Sequence, residues 1–175
     1  MKAGMVICAF AVAVLLVVGG PILRAQSATN ETPLVRVAPP APQFELSDFY
    51  GRTVKLSSCT TTAVIVSFVL ADDPPSQRQL DELTRLRAAH SREALGMFAI
   101  VLDNRPNELL RERFVALERG IQFLRYDLSV IEGFGGLTAA PTTFVLDAHR
   151  NIIGRHVGLT GADQLEPELR AILRP

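Results

Sequence analysis

Residues Ala63 to Leu70 form an apolar run rich in β-branched side chains, and Asp72-Asp73-Pro74-Pro75 follows almost at once. A strand without polar alternation is buried on both faces, so it belongs inside a sheet covered from two sides. The acidic and proline residues stop that strand and start a helix. Asp73 suits the N-cap and Pro74 the first helical position. Leu80, Leu83 and Leu86, with Ala89, give this helix one apolar stripe. A buried strand leading straight into an amphipathic helix is a building block of α/β folds.

The rest of the chain repeats the alternation. Phe44-Glu45-Leu46 and Thr53-Val54-Lys55-Leu56 read as short strands around a turn at Tyr50-Gly51. Met97 to Leu102 is a second buried strand. A helix is expected from Asn107 to Arg119, with Leu110, Phe114 and Leu117 on one face and Gly120 as its stop. Ile121 to Leu124 reads as a strand, Ser129 to Phe134 as a short helix, and Gly133-Phe134-Gly135-Gly136 as a loop. Thr142 to Leu146 and Ile152 to Val157 form a hairpin through Asp147 to Asn151. A last helix carries Leu165, Leu169 and Ile172. The pattern predicts an α/β sandwich with a mixed sheet.

Composition excludes several functions. The chain has 175 residues, 18 basic against 18 acidic side chains, and two cysteines, Cys8 and Cys59. Balanced charge gives no electrostatic reason for nucleic acid binding. Two distant cysteines do not make a zinc ribbon, an iron–sulfur site or a disulfide-stapled scaffold. Asp72 and Asp73 are accounted for by solvent and by capping, so no metal and no cofactor are expected. The glycines around Phe134 lack the spacing of a dinucleotide fingerprint.

Ala3 to Leu23 carries no charge and lies between Lys2 and Arg24. It fits a signal peptide with its apolar stretch at Met5 to Val18, or a retained membrane helix. Gly19, Gly20 and Pro21 would break such a helix. Residues 1–25 are therefore expected to be a signal peptide or N-terminal anchor, with Cys8 an ordinary apolar member of it. Residues 26–42 read as a proline-rich linker, and Asn30-Glu31-Thr32 is a weak match to a glycosylation acceptor. Residues 43–175 form the folded domain. It is expected in the periplasm or another extracytoplasmic space, secreted or tethered through residues 3–23, with no other membrane contact.

Read together, several segments resemble the thioredoxin-like redoxins of the bacterial envelope, the TlpA/ResA and alkyl hydroperoxide reductase–thiol-specific antioxidant group. They are Ala41-Pro42-Gln43-Phe44-Glu45-Leu46, Val64-Ile65-Val66-Ser67-Phe68, Asp73-Pro74-Pro75-Ser76, Ala140-Pro141-Thr142-Thr143-Phe144-Val145-Leu146-Asp147 and Arg155-His156-Val157-Gly158. The resemblance implies a thioredoxin-like three-layer α/β/α sandwich with a central mixed sheet. The family's Cys-Pro-Pro-Cys motif exchanges thiols and disulfides at a helix start that favours the thiolate. The two cysteine positions correspond here to Asp73 and Ser76, so Asp73, Pro74, Pro75 and Ser76 form a degenerate motif. Pro141 corresponds to the family's cis-proline. Ala140, Pro141 and Thr142 are expected to line the groove that holds an extended substrate chain, or else only to hold the fold.

Cys59 is the one cysteine of the domain. It reads as a small apolar residue, or as a thiol for an intermolecular disulfide that would link a dimer. The length of the central strand puts it about 25 Å from the motif. Ser76 would need a base to act as a nucleophile, and none of His90, His149 and His156 is aimed at it in this element map. The reading that follows is an exported thioredoxin-fold domain without dithiol activity. It would bind or assemble extended peptides or envelope proteins. The alternative is a thiol–disulfide oxidoreductase or peroxiredoxin-like enzyme using Cys59 or a partner's thiol. A third possibility is a decayed paralogue with no present activity.

Overall fold

A computed structural model describes residues 38–118 and 120–173. The expected export segment 1–25 with Cys8, residues 26–37 of the linker with Asn30-Glu31-Thr32, and the last two residues lie outside the described residues. The elements run β1 Glu45–Ser47, β2 Thr53–Lys55, β3 Ala63–Val69, α1 Pro74–Ala89, β4 Leu95–Val101, α2 Asn107–Phe114, β5 Gln122–Arg125, α3 Leu128–Gly133, β6 Thr142–Leu146, β7 Ile152–Val157 and α4 Ala162–Leu173. Among the described residues, no helix is long and apolar enough to cross a membrane.

β1 and β2 form a separate antiparallel hairpin, with Gly51 in its turn at φ +80°. The main sheet has the order β5-β4-β3-β6-β7. β3, β4 and β5 are parallel, whereas β6 runs antiparallel to both β3 and β7. The sheet is therefore mixed, and all seven residues of β3 are buried at its centre. Successive strand side chains point to opposite faces. Ile65, Val69 and Val145 meet Leu80, Leu83 and Leu86 of α1, Leu110 and Phe114 of α2, and Leu165 and Leu169 of α4. Val64, Val66, Phe68 and Phe144 meet Val130 and Phe134, with Phe44, Leu46 and Leu56 completing that side. Helices on both faces of a mixed sheet make the three-layer α/β/α sandwich.

The buried face beneath α1 and α4 holds one polar pair. Ser67 on β3 and Thr143 on β6 are directly opposite in the register, and their hydroxyls are 2.9 Å apart. Backbone pairing also starts ahead of the expected domain boundary. Ala41 N donates to the Arg150 carbonyl, and Ile152 N donates to the Pro39 carbonyl, both at 2.7 Å.

Three local expectations are corrected. Ala89 is exposed, and His90, the cap of α1, is buried instead. α2 stops at Phe114, and Val115–Leu117 tightens into a 3-10 turn. Phe114 stacks on Phe123 at 4.7 Å, which anchors the end of the helix. The tighter turn leaves Val115 exposed and keeps Leu117 against the core. The strand read at Ile121 to Leu124 begins one residue later, with Ile121 buried just ahead of it.

Candidate functional site

The parallel strands β3, β4 and β5 end on one edge of the sheet, where β6 begins and β7 ends. Phe68 pairs with Thr142, and Thr142 with Val157. That register brings the start of α1 and the Ala140–Pro141 peptide to the same edge. Pro141 is buried behind a cis bond, as expected for the corresponding proline. Its carbonyl accepts from Gly158 N at 2.8 Å. Thr142 is fully buried and donates its hydroxyl to the Ala139 carbonyl at 2.7 Å. Leu70, Val157 and Leu159 are exposed apolar side chains on this edge.

At the helix start, Asp73 is the N-cap and prolines fill the first two helical positions. Asp73 Oδ2 accepts from Ser76 N at 2.9 Å and from Ser76 Oγ at 2.7 Å. Gln77 N donates to the Asp73 carbonyl at 3.0 Å. The prolines carry no N–H. Of the first four residues of α1, none therefore offers an N–H to a ligand. Ser76 is fully buried, and its hydroxyl also accepts from Leu70 N at 3.2 Å. It joins the cap to the end of β3.

Asp72 is exposed, as expected, and it also pairs with Arg105 at 2.7 Å and Arg113 at 3.6 Å. Arg105 follows β4 and Arg113 lies on α2, so the parallel β3–β4 pair delivers both. Arg105 also grips Asp103 at 2.7 Å and holds that carboxyl below its ordinary value. Leu70, Asp72, Asp73, Asp103 and Arg105 line an open depression of about 550 Å³ in front of the helix.

Sequence reasoning missed Gln79. It lies on α1, one turn past Ser76, and is fully buried. Its Oε1 accepts from Thr160 N at 2.7 Å, and the Thr160 hydroxyl donates to the Gly158 carbonyl at 3.2 Å. Gly158 in turn holds Pro141. α1 is thus tied to the cis-proline loop by a chain of hydrogen bonds. The only sequence signal was its place next to Leu80 at the edge of the leucine stripe.

The other expected residues lie elsewhere. Cys59 precedes β3, at the opposite end of that strand from Asp73. It is half-buried, with Sγ 3.1 Å from the Thr61 hydroxyl. A Cβ added at Gly96 would meet Sγ at 2.9 Å, so the thiol packs on that glycine. None of the three histidines bonds Ser76. His90 pairs with Glu93 and Glu166, His156 faces Glu168, and His149 is exposed in the hairpin turn. Among the described residues, no three His, Cys, Asp or Glu side chains are grouped to hold a metal ion.

No family model matches the chain. It is 26% identical over 145 residues to the thiol-disulfide oxidoreductase ResA of Halalkalibacterium halodurans, covering 81% of this chain and 80% of ResA. A thiol:disulfide interchange protein of the thioredoxin family from Chlorobium tepidum superposes with a TM-score of 0.68 at 20% identity. That match covers 78% of this chain and 97% of the other. StoA from Bacillus subtilis superposes with a TM-score of 0.59 at 16% identity, covering 72% of this chain and 95% of StoA.

Proposed function

We propose that this chain, which has the thioredoxin-like fold, is a redoxin relative that works without dithiol exchange, as an exported binding or assembly module. Its target would be an extended polypeptide laid along the edge between the start of α1 and the Ala140–Pro141 peptide. Residues 1–25 would deliver or anchor it and residues 26–42 would carry the folded domain outside the cytoplasm. The observation that carries this reading is the bond between Asp73 and Ser76. The two positions that hold sulfur in the family here hold a carboxylate and a hydroxyl already committed to each other. Thiol exchange needs a thiolate nucleophile, and the motif has none. The exposed Leu70, Val157 and Leu159 supply apolar contacts for a chain on that edge.

An insulin-disulfide reduction assay tests the chemical half. No turnover above background is expected. Clear turnover that disappears in Cys59→Ser, or a covalent dimer on a non-reducing gel, would favour the enzyme reading instead. For the binding half, a photocrosslinking residue at Leu159 should form adducts with a reduced and alkylated unfolded polypeptide. The same residue at His149, in the hairpin turn, should not. Equal labelling at both positions would remove the groove from the proposal.

A further inference from the structure

His90 ends α1 with only 3% of its surface exposed. Its Nδ1 lies 2.7 Å from Glu93 Oε2, in the turn after the helix. Its Nε2 lies 2.7 Å from Glu166 Oε2, on α4. An ionised carboxylate only accepts hydrogen bonds, and a neutral imidazole has a single N–H to give. Both short contacts are satisfied together only if the cluster of His90, Glu93 and Glu166 holds one extra proton, whichever group carries it.

The neighbouring charges favour keeping that proton on the imidazole. Arg170 on α4 binds the other oxygen of Glu166 at 2.7 Å. Arg87 on α1 donates to the His90 carbonyl at 2.9 Å, and this cation works against the imidazolium rather than for it. Burial pulls the imidazole down, but the bonds to Glu166 and then Glu93 outweigh it and hold it above its ordinary 6.5. The His90 bond, chiefly, keeps Glu166 below its ordinary value. α4 has a second such contact two residues on, where Glu168 faces His156 of β7 at 3.1 Å. Pro167, between the two glutamates, removes one backbone bond from the helix itself.

We propose that His90 is a proton-operated latch that fastens α4 and the turn at Glu93 to the end of α1. When the extra proton leaves, one ring nitrogen turns a lone pair toward a carboxylate. The imidazole is buried while both carboxylates are partly exposed, so water relieves that repulsion only in part, and one of the two arms lets go. The sign follows from the raised value of the group. The latch is fully closed below about pH 6.5 and opens as pH rises through the folded-state value. It stands apart from the groove reading, since neither Asp73 nor Pro141 takes part.

The test is a pH series on the purified full chain. The imidazole of His90 is followed by nitrogen NMR, and amide exchange in α4 is expressed as protection factors. His90 should keep both ring protons at pH values above 6.5. Protection across α4 should then fall roughly tenfold or more as the second proton leaves, the weight of a hydrogen bond to a charged group. Glu166→Gln should flatten that fall, and His149→Gln in the exposed hairpin turn should leave it unchanged. A His90 that loses its second proton at or below 6.5 would overturn the proposal. So would α4 protection that stays constant through the imidazole transition. Both readings come from the unaltered chain, so they decide the matter even if Glu166→Gln fails to fold.

Discussion

The Asp73 carboxylate lies 2.7 Å from the Ser76 hydroxyl and 2.9 Å from the Ser76 amide, so one oxygen caps the helix and clasps the hydroxyl of its third residue. Replacing Asp73 by Ala removes both bonds and leaves a buried hydroxyl one partner short. A loss of about 1–2 kcal/mol is expected, typical of a removed cap. Asp73→Asn should retain most of it. Urea denaturation decides this through a lower midpoint at unchanged slope.

Asp73→Cys combined with Ser76→Cys should restore a reducible disulfide. The two positions already approach through their side chains, which is what the geometry of a disulfide demands. Thiol alkylation followed by intact mass should show two blocked sulfurs before reduction and two alkylated ones after it, with Cys59 alkylated throughout. An unbridged double variant under oxidising conditions would mean that Asp73 and Ser76 do not correspond to the family's cysteines.

Ser67 and Thr143 satisfy each other inside the sheet. Ser67→Ala alone strands the Thr143 hydroxyl and should cost about 1–3 kcal/mol. Adding Thr143→Val should recover part of that loss, because no buried hydroxyl is then left unpaired. A double-mutant cycle with favourable coupling of about 0.5 kcal/mol or more is the expected result.

Acid should weaken the fold through its turn carboxylates. Burial alone would raise the Asp48 carboxyl, but the Arg52 amide and guanidinium and the Tyr50 amide prevail and lower it below its ordinary 3.8. Asp147 is lowered in the same way, against burial, by Asn151 and the His149 amide. A lowered value means stability that is present above about pH 3.8 and lost as pH falls through the folded-state values. Midpoints of urea unfolding should therefore drop in that range. Asp48→Asn should make the drop shallower.

Local chemistry carried the readable part of the fold. β3 and the capped start of α1 are written in consecutive residues, and so is the β6–β7 hairpin. What stayed hidden depends on partners far along the chain. Asp72 reads as a solvated acid, which it is, but its pairing with Arg105 beyond the end of β4 shows only in the fold. Gln79 reads as an ordinary helix residue until Thr160, 81 positions on, supplies a backbone N–H. Ala89 completes a plausible stripe, yet His90 takes the inward place because Glu93 and Glu166 are there to receive its nitrogens. In each case the deciding contact is polar and long-range, which hydrophobic periodicity does not report.

The sheet order also governs when this protein can finish folding. β3 meets one neighbour in β4, soon after α1, but its other flank waits for Thr142–Leu146 near the far end of the chain. A polypeptide appearing N-terminus first therefore holds its most apolar strand half-paired until nearly all of it has emerged. Such late, distant pairing slows folding. Through that interval Val64–Phe68 presents a bare edge, the segment most open to pairing with the wrong chain.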